Sequence, residues 1–198
     1  IGVTYSIAGA TSGVTPETQI VAPSTTVTVA PRTGISRSRF TLDAWSTGST
    51  LIEPSETITP VVNTSLFAVW VPEVPDAPTE TLTASSGSVT IAVGTGAGTG
   101  GLPTSFTVTA INAATGQSAG TCQVISPATS CTVAGLTNGV AYNFSAVAEN
   151  SSGVSTATLA GPITPSTVPG SPTSPSATVQ NGAATVSFTA SSSNGGAQ

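Results

Sequence analysis

Cys122 and Cys131 are the only thiols in the chain, nine positions apart, with Ser126 and Pro127 between them. Two thiols cannot close a tetrahedral zinc site, and this spacing is not that of a C-x-x-C redox pair. In an exported β-domain with only this pair, the expectation is a structural disulfide. The loop is short, so its contribution is modest, about 2–3 kcal/mol. The carboxylates are the other groups able to do chemistry. Asp43, Glu53 and Glu56 fall in the first part of the chain, Glu73 and Asp76 in a proline-rich stretch, and Glu149 after a strand. Glycoside hydrolysis needs two carboxylates facing each other across a cleft. Here they are sparse and scattered, which suits solvated surface acids. Calcium needs a cluster of oxygen ligands, and no acidic loop of that kind is present. The run Gly94–Gly101 shares only its composition with a phosphate-binding loop, since it lacks the lysine and the following helix; it reads as a flexible loop between strands. The expectation is no catalytic residue, no cofactor or cofactor-binding residue, and no metal ligand.

Composition narrows the field further. Of 198 residues, 6% are charged and 38% hydrophobic, and the formal net charge is −5. There is no lysine, histidine or methionine, and the only cations are Arg32, Arg37 and Arg39. Three arginines against eight carboxylates make no positive surface, so nucleic acid is excluded as a partner. Imidazole chemistry is excluded outright. No apolar run approaches the roughly 20 residues of a membrane-spanning helix. Ile1 is preceded by no Met and carries no signal-peptide pattern, so the chain reads as an excerpt or a processed product. Asn63, Asn143 and Asn150 stand in Asn-x-Ser/Thr patterns, which arise by chance in so Ser/Thr-rich a chain.

Those groups must be carried by strands. Val, Thr and Ile recur in short alternating runs bounded by Gly, Pro, Ser and Asn, as at 25–29, 88–93 and 106–111. Alternation puts Val89, Ile91 and Val93 on one face and hydroxyls on the other. No segment shows a helical period beyond about two turns. The expected fold is mostly β. Proline-rich stretches at 72–78 and 166–175 divide the chain into residues 1–71, 79–165 and 176–198, with the prolines favouring stiff, extended linkers.

Residues 79–165 hold seven strand candidates, starting near Thr79, Val89, Phe106, Gln117, Ser130, Ala141 and Ser155. That spacing points to a two-sheet sandwich. Leu136 precedes a turn, Thr137-Asn138-Gly139, and Tyr142 then opens an alternating strand in which Tyr142, Phe144, Ala146 and Ala148 face inward. The Leu136…Tyr142 pairing, the following Ala148-Glu149-Asn150-Ser151-Ser152-Gly153, and the borders Pro75-Asp76-Ala77-Pro78 and Ile163-Thr164-Pro165 resemble a bacterial fibronectin type III domain. The resemblance implies a seven-stranded β-sandwich with a tyrosine-corner-like core at Leu136 and Tyr142. Val93 stands near where that family buries a Trp, which implies a lighter core.

Residues 1–71 carry a second resemblance. Ile35-Ser36-Arg37-Ser38-Arg39-Phe40-Thr41-Leu42-Asp43-Ala44-Trp45, with the ending Asn63-Thr64-Ser65-Leu66-Phe67-Ala68-Val69-Trp70, is similar to the Listeria–Bacteroides repeat, the small β-grasp module of internalin-type surface proteins. Arg39 and Ala44 replace two glycines of that motif, so a tight turn is expected to be reshaped. Phe40, Leu42, Trp45, Leu66 and Trp70 supply most of the bulky apolar content and are expected to form the core. That places both tryptophans inside rather than on a glycan-stacking surface.

Residues 176–198 repeat the first two strands of the sandwich unit. Two strands alone bury neither face, so they open a further fibronectin-like domain that is either cut short or completed by another chain. The resemblances imply an extracellular or cell-surface array of non-catalytic modules acting as stalk, spacer or filament building block, its partner itself or a surface ligand. The alternatives are an adhesive module for protein or glycan, or the accessory region of a secreted carbohydrate-active enzyme.

Overall fold

The computed structural model describes residues 1–196. Every regular element in them is a strand. The chain divides into two compact units. The first is Ile1–Asp76 with residues 96–103 and 149–154; the second is Ala77–Thr95, Thr104–Ala148 and the residues from Ser155 onward.

The first unit contains β1 (Gly2–Ser6), β2 (Ser12–Gly13), β3 (Gln19–Ile20), β4 (Val27–Thr28), β5 (Ile35–Ser36), β6 (Phe40–Ser46), β7 (Leu51–Ile52), β8 (Thr57–Ile58) and β9 (Thr64–Pro72). Its main sheet has the order β3-β1-β9-β6-β7. β1 runs parallel to β9, with Val3 opposite Thr64 and Tyr5 opposite Leu66, and β6 runs antiparallel to β9. Strand alternation turns Val3, Tyr5 and Leu66 to one face, where Val27, Val29, Leu42, Trp45 and Ile52 complete a buried core. A bulge interrupts β6, since Leu42 faces Trp70 while Ala44 already faces Val69. The extra residue, Asp43, lets Leu42, Ala44 and Trp45 all be buried within four positions, which simple alternation forbids.

The five residues expected to form this core do not share one environment. Leu42, Trp45 and Leu66 lie in it, and Trp70 is half-buried against it. Phe40 is the correction: it is half-buried and outside the core cluster. It opens β6 opposite Pro72, at the end of the sheet rather than over its centre, and the Arg37 guanidinium covers its ring at 3.9 Å.

In the second unit, β10 (Thr79–Ser85), β11 (Ser88–Gly94) and β14 (Ser130–Ala134) form one antiparallel sheet. β12 (Ser105–Asn112), β13 (Ser118–Ile125) and β15 (Tyr142–Asn150) form the other, with β17 (Thr158–Ile163) along β15. The last two residues of β15 belong to the first unit, where they pair with β16 (Gly153–Val154). Both sheets contribute to one core: Val89, Ile91 and Val133 from the first, Phe106, Val108, Val124, Phe144 and Ala146 from the second. Shared burial makes this a two-sheet sandwich. Val93 is buried and takes its place in that core. The last strand runs over Thr158–Ile163, later than the Ser155 start expected from sequence, because Ser155 is still tied to Ala148 of β15: its amide donates to the Ala148 carbonyl and its hydroxyl accepts the Ala148 amide.

Beyond the sandwich, β18 (Thr173–Gln180) and β19 (Ala183–Thr189) form a hairpin whose residues are all exposed.

Candidate functional site

Cys122 on β13 and Cys131 on β14 are bonded, S–S 2.04 Å. Because β13 belongs to one sheet and β14 to the other, the bond staples the two layers beside the turn that joins them. Both sulfurs pack on the core. Leu136 and Tyr142 are both buried, and the Tyr142 hydroxyl accepts the Thr137 amide at 3.1 Å. Leu136 is fixed from its backbone side, its amide donating to the Gly87 carbonyl.

In the first unit the polar atoms of the two largest core rings converge on the backbone of one residue, Ala30. The Ala30 amide donates to the Tyr5 hydroxyl at 3.1 Å, and the Trp45 indole N–H donates to the Ala30 carbonyl at 2.9 Å. Burial pushes the Tyr5 phenol up, and the Ala30 hydrogen bond opposes this only in part. Trp70 places its indole N–H on the Ala8 carbonyl at 3.0 Å.

Each of the three cations is engaged locally. Arg32 donates to the Asp43 carbonyl at the β6 bulge, at 2.9 Å, and to the Glu53 carboxylate at 3.1 Å. A bulge leaves backbone groups outside the ladder, and Arg32 satisfies one. Arg37 lies over Phe40. Arg39 has a left-handed backbone, φ +67°, so the turn that brings the Phe40 amide to the Arg37 carbonyl keeps its glycine-like geometry without a glycine. The Arg39 carbonyl accepts the Glu73 amide, and its guanidinium donates to the Gly100 carbonyl at 2.8 Å.

The Gly-rich segment is the loop between β11 and β12, and two of its amides are tied. The Gly100 amide donates to the Asp76 carboxylate at 2.9 Å and the Gly101 amide to the Val74 carbonyl at 3.2 Å. A side chain at Gly101 would collide with the Glu73 carbonyl, so close backbone approach requires the glycine there. Asn150 closes the same cluster. Its buried amide donates to the Glu73 carbonyl at 2.7 Å, which occupies the side chain that the Asn-x-Ser pattern singled out. The Asn63 carboxamide oxygen likewise accepts the Gly2 amide.

Candidates for chemistry remain dispersed. Among the described residues no group of three or more Cys, Asp and Glu is gathered as metal ligands require. An open groove of about 310 Å³ beside β7 and β8 is lined by Leu51, Ile52, Ile58, Pro60 and several threonines. Its one carboxylate, Glu56, accepts the Glu53 amide. That pairing terminates a turn and leaves no second acid facing it. Among the described residues no helix is long and apolar enough to cross a membrane.

Glu80 is the residue that sequence reasoning passed over. It lies on β10 on the same face as Leu82 and Ala84, and both its carboxylate oxygens are buried without a hydrogen bond of normal geometry. The register Glu80-Leu82-Ala84 was the available signal.

No family model matches the chain, and no curated protein matches it. Among solved structures it is similar to titin kinase and its flanking domains, at 26% identity over 47% of this chain and 17% of that one, TM-score 0.41. It is also similar to the twitchin kinase region from C. elegans, at 27% identity over 46% and 16%, TM-score 0.40. A two-domain fibronectin type III segment of chicken tenascin aligns at 24% identity over 60% and 63%, TM-score 0.38. The chain therefore spans less than a fifth of the two kinase-region structures. The fold itself defines the class: an all-β chain carrying a disulfide-stapled two-sheet sandwich.

Proposed function

We propose that this chain is a non-catalytic structural array of an exported, cell-surface or secreted protein, working as stalk, spacer or filament building block. One observation carries the reading: the design of one module recurs within the chain. In β10–β11, Ser85 pairs with Ser88 around a turn ending at Gly87, and Leu82 and Ala84 lie opposite Ile91 and Val89. In β18–β19, Gln180 pairs with Ala183 around a turn ending at Gly182, and Ala177 and Val179 lie opposite Val186 and Ala184. Gly87 and Gly182 both take a left-handed backbone at the second central position of the turn, φ +63° and +76°, which glycine adopts without steric cost. The sets on the corresponding face of each hairpin, Leu-Ala-Val-Ile-Val and Ala-Val-Ala-Val-Phe, contain the same number of side-chain carbons. The same opening hairpin is thus written twice, as modular repetition requires.

Two finer assignments follow. The sandwich is read as a fibronectin type III module, supported by its strand order and by the Tyr142 hydroxyl tied to the turn after Leu136. The first unit is read as a β-grasp module of the Listeria–Bacteroides type, supported by the central parallel pairing of β1 with β9. A disulfide persists in oxidising surroundings, which supports an extracellular location. Single-molecule stretching tests the mechanical role. The expected record is separate unfolding steps for the two units, with the loop closed by the disulfide missing from the sandwich's extension until reductant is added. Unfolding of both units at forces too low to resolve would refute a load-bearing stalk.

A second reading, an adhesive module, is favoured by one feature. On the outer face of the five-stranded sheet, Ser6, Phe67, Ser46 and Leu51 lie in one cross-strand row, with Phe67 and Leu51 exposed. An aromatic flanked by hydroxyls suits glycan or protein contact. Binding on a glycan or protein array that Phe67→Ala abolishes would favour this reading over the first.

A further inference from the structure

We propose that Glu80 is a proton-operated device in the sandwich: protonated, its side chain lets β10 seat along β11 against the core, and ionised, it loosens that strand. The placement comes from register. Glu80 lies opposite Val93 on β11, a buried core residue, and its own row continues inward as Leu82 and Ala84, both packed on the core. At its start β10 also meets β17, where the Thr158 hydroxyl donates to the Pro78 carbonyl. Both Glu80 oxygens are therefore enclosed, and neither has a hydrogen-bond donor in normal geometry.

The composition removes the usual remedy. A buried carboxylate is ordinarily neutralised by a cation. The cationic side chains of this protein lie at positions 32, 37 and 39 and the terminal ammonium at Ile1, all in the first unit, so the second unit contains no cation. β11, β12 and β17 carry no titratable group, and the cysteines of β13 and β14 are bonded to each other. β15 contributes Tyr142, which is occupied by the Thr137 amide, and Glu149, which is itself acidic. Taking up a proton is then the way left to neutralise Glu80. Accordingly, burial pushes its carboxyl up to about 7, and the nearby Ala146 amide offsets only part of the cost.

The sign follows from linkage. The folded state holds the proton more tightly than the unfolded state, whose carboxyl titrates at 4.5. No penalty exists below that value. Stability falls as pH rises from there through about 7 and stays low above it.

Denaturant unfolding of the full chain across about pH 5 to 8, with Glu80→Gln in parallel, tests this. The sandwich's unfolding constant should rise roughly tenfold or more over that range in the wild type. Glu80→Gln should unfold with a flat profile and be the more stable protein at the alkaline end. Should the variant fail to fold, carbon NMR of the wild-type Glu80 carboxyl decides instead, with a midpoint near 7 expected. A wild-type profile that is flat or rises with pH, a variant that keeps the wild-type slope, or a carboxyl midpoint at the ordinary glutamate value would each overturn the proposal.

Discussion

Tyr5 and Trp45 meet edge to face, with ring centroids 5.0 Å apart and planes at 71°, and both bond the backbone of one residue, Ala30. The loop before Arg32 is thus held from both its N–H and C=O sides by the two rings that fill the first core. Tyr5→Phe leaves the Ala30 amide buried and unpaired and should cost about 1–3 kcal/mol. Trp45→Phe orphans the carbonyl and opens space as well, and should cost about 2–4 kcal/mol. Because the two rings touch and hold the backbone of one residue, the double variant should fall short of their sum by about 0.5 kcal/mol or more. Urea titration of the four proteins gives the coupling, and strict additivity would show that the rings act independently.

Reduction of Cys122–Cys131 should act on one unit only. The bond ties β13 to β14, hence one sheet of the sandwich to the other. The closed loop is short, so the loss should be about 2–3 kcal/mol. Calorimetry with and without a phosphine reductant should show the sandwich transition moving down while that of the first unit stays in place. An equal shift in both would contradict the staple.

How much of this was legible beforehand depends on what set each feature. Period-2 alternation is local, so the inward rows Val89-Ile91-Val93 and Tyr142-Phe144-Ala146-Ala148 could be read directly, and all are buried. The hydrophobicity of Phe40 suggests core, whereas its position at the first residue of β6 decides otherwise. The Asp43 bulge carries no one-residue signature, since it arises from pairing with β9 rather than from β6 alone. At Gly98, Gly100 and Gly101 the sequence shows glycine's freedom but neither the Asp76 carboxylate beside Gly98 nor the Glu73, Val74 and Asp76 backbone that closes on Gly100 and Gly101. Glu80 was hidden by its charge, which suggests solvent, although its register with Leu82 points inward.

Arg39 offers a test of strain against contact. Its φ of +67° costs a non-glycine residue about 1 kcal/mol or more, while its guanidinium bond to the Gly100 carbonyl returns about as much. Arg39→Gly removes both and should stay within about 0.5 kcal/mol of wild type. Arg39→Ala keeps the strain and loses the bond, so it should be less stable by about 1–2 kcal/mol. Thermal unfolding of the two variants ranks them, and alanine equalling glycine would show that the left-handed backbone imposes no cost.

The paired hairpins give the last prediction. In β10–β11 the inward residues Val89 and Ile91 are 0% exposed, but their counterparts in β19, Ala184 and Val186, are not covered, Val186 being 64% exposed and the neighbouring Phe188 63%. Register and turn chemistry are shared, so local propensity is nearly equal in the two, and what differs is burial. A two-stranded ribbon without a covered face is marginal in water, and amide protection follows the free energy of local opening. Hydrogen exchange of this chain should therefore find the Thr90, Ile91 and Ala92 amides among the slowest. The Thr185, Val186 and Ser187 amides should exchange within about tenfold of an unstructured peptide. Phe188→Ser should leave both sets unchanged, because Phe188 covers nothing. Strong protection across 185–187, lost on that substitution, would mean that the apolar face of the hairpin is covered in solution.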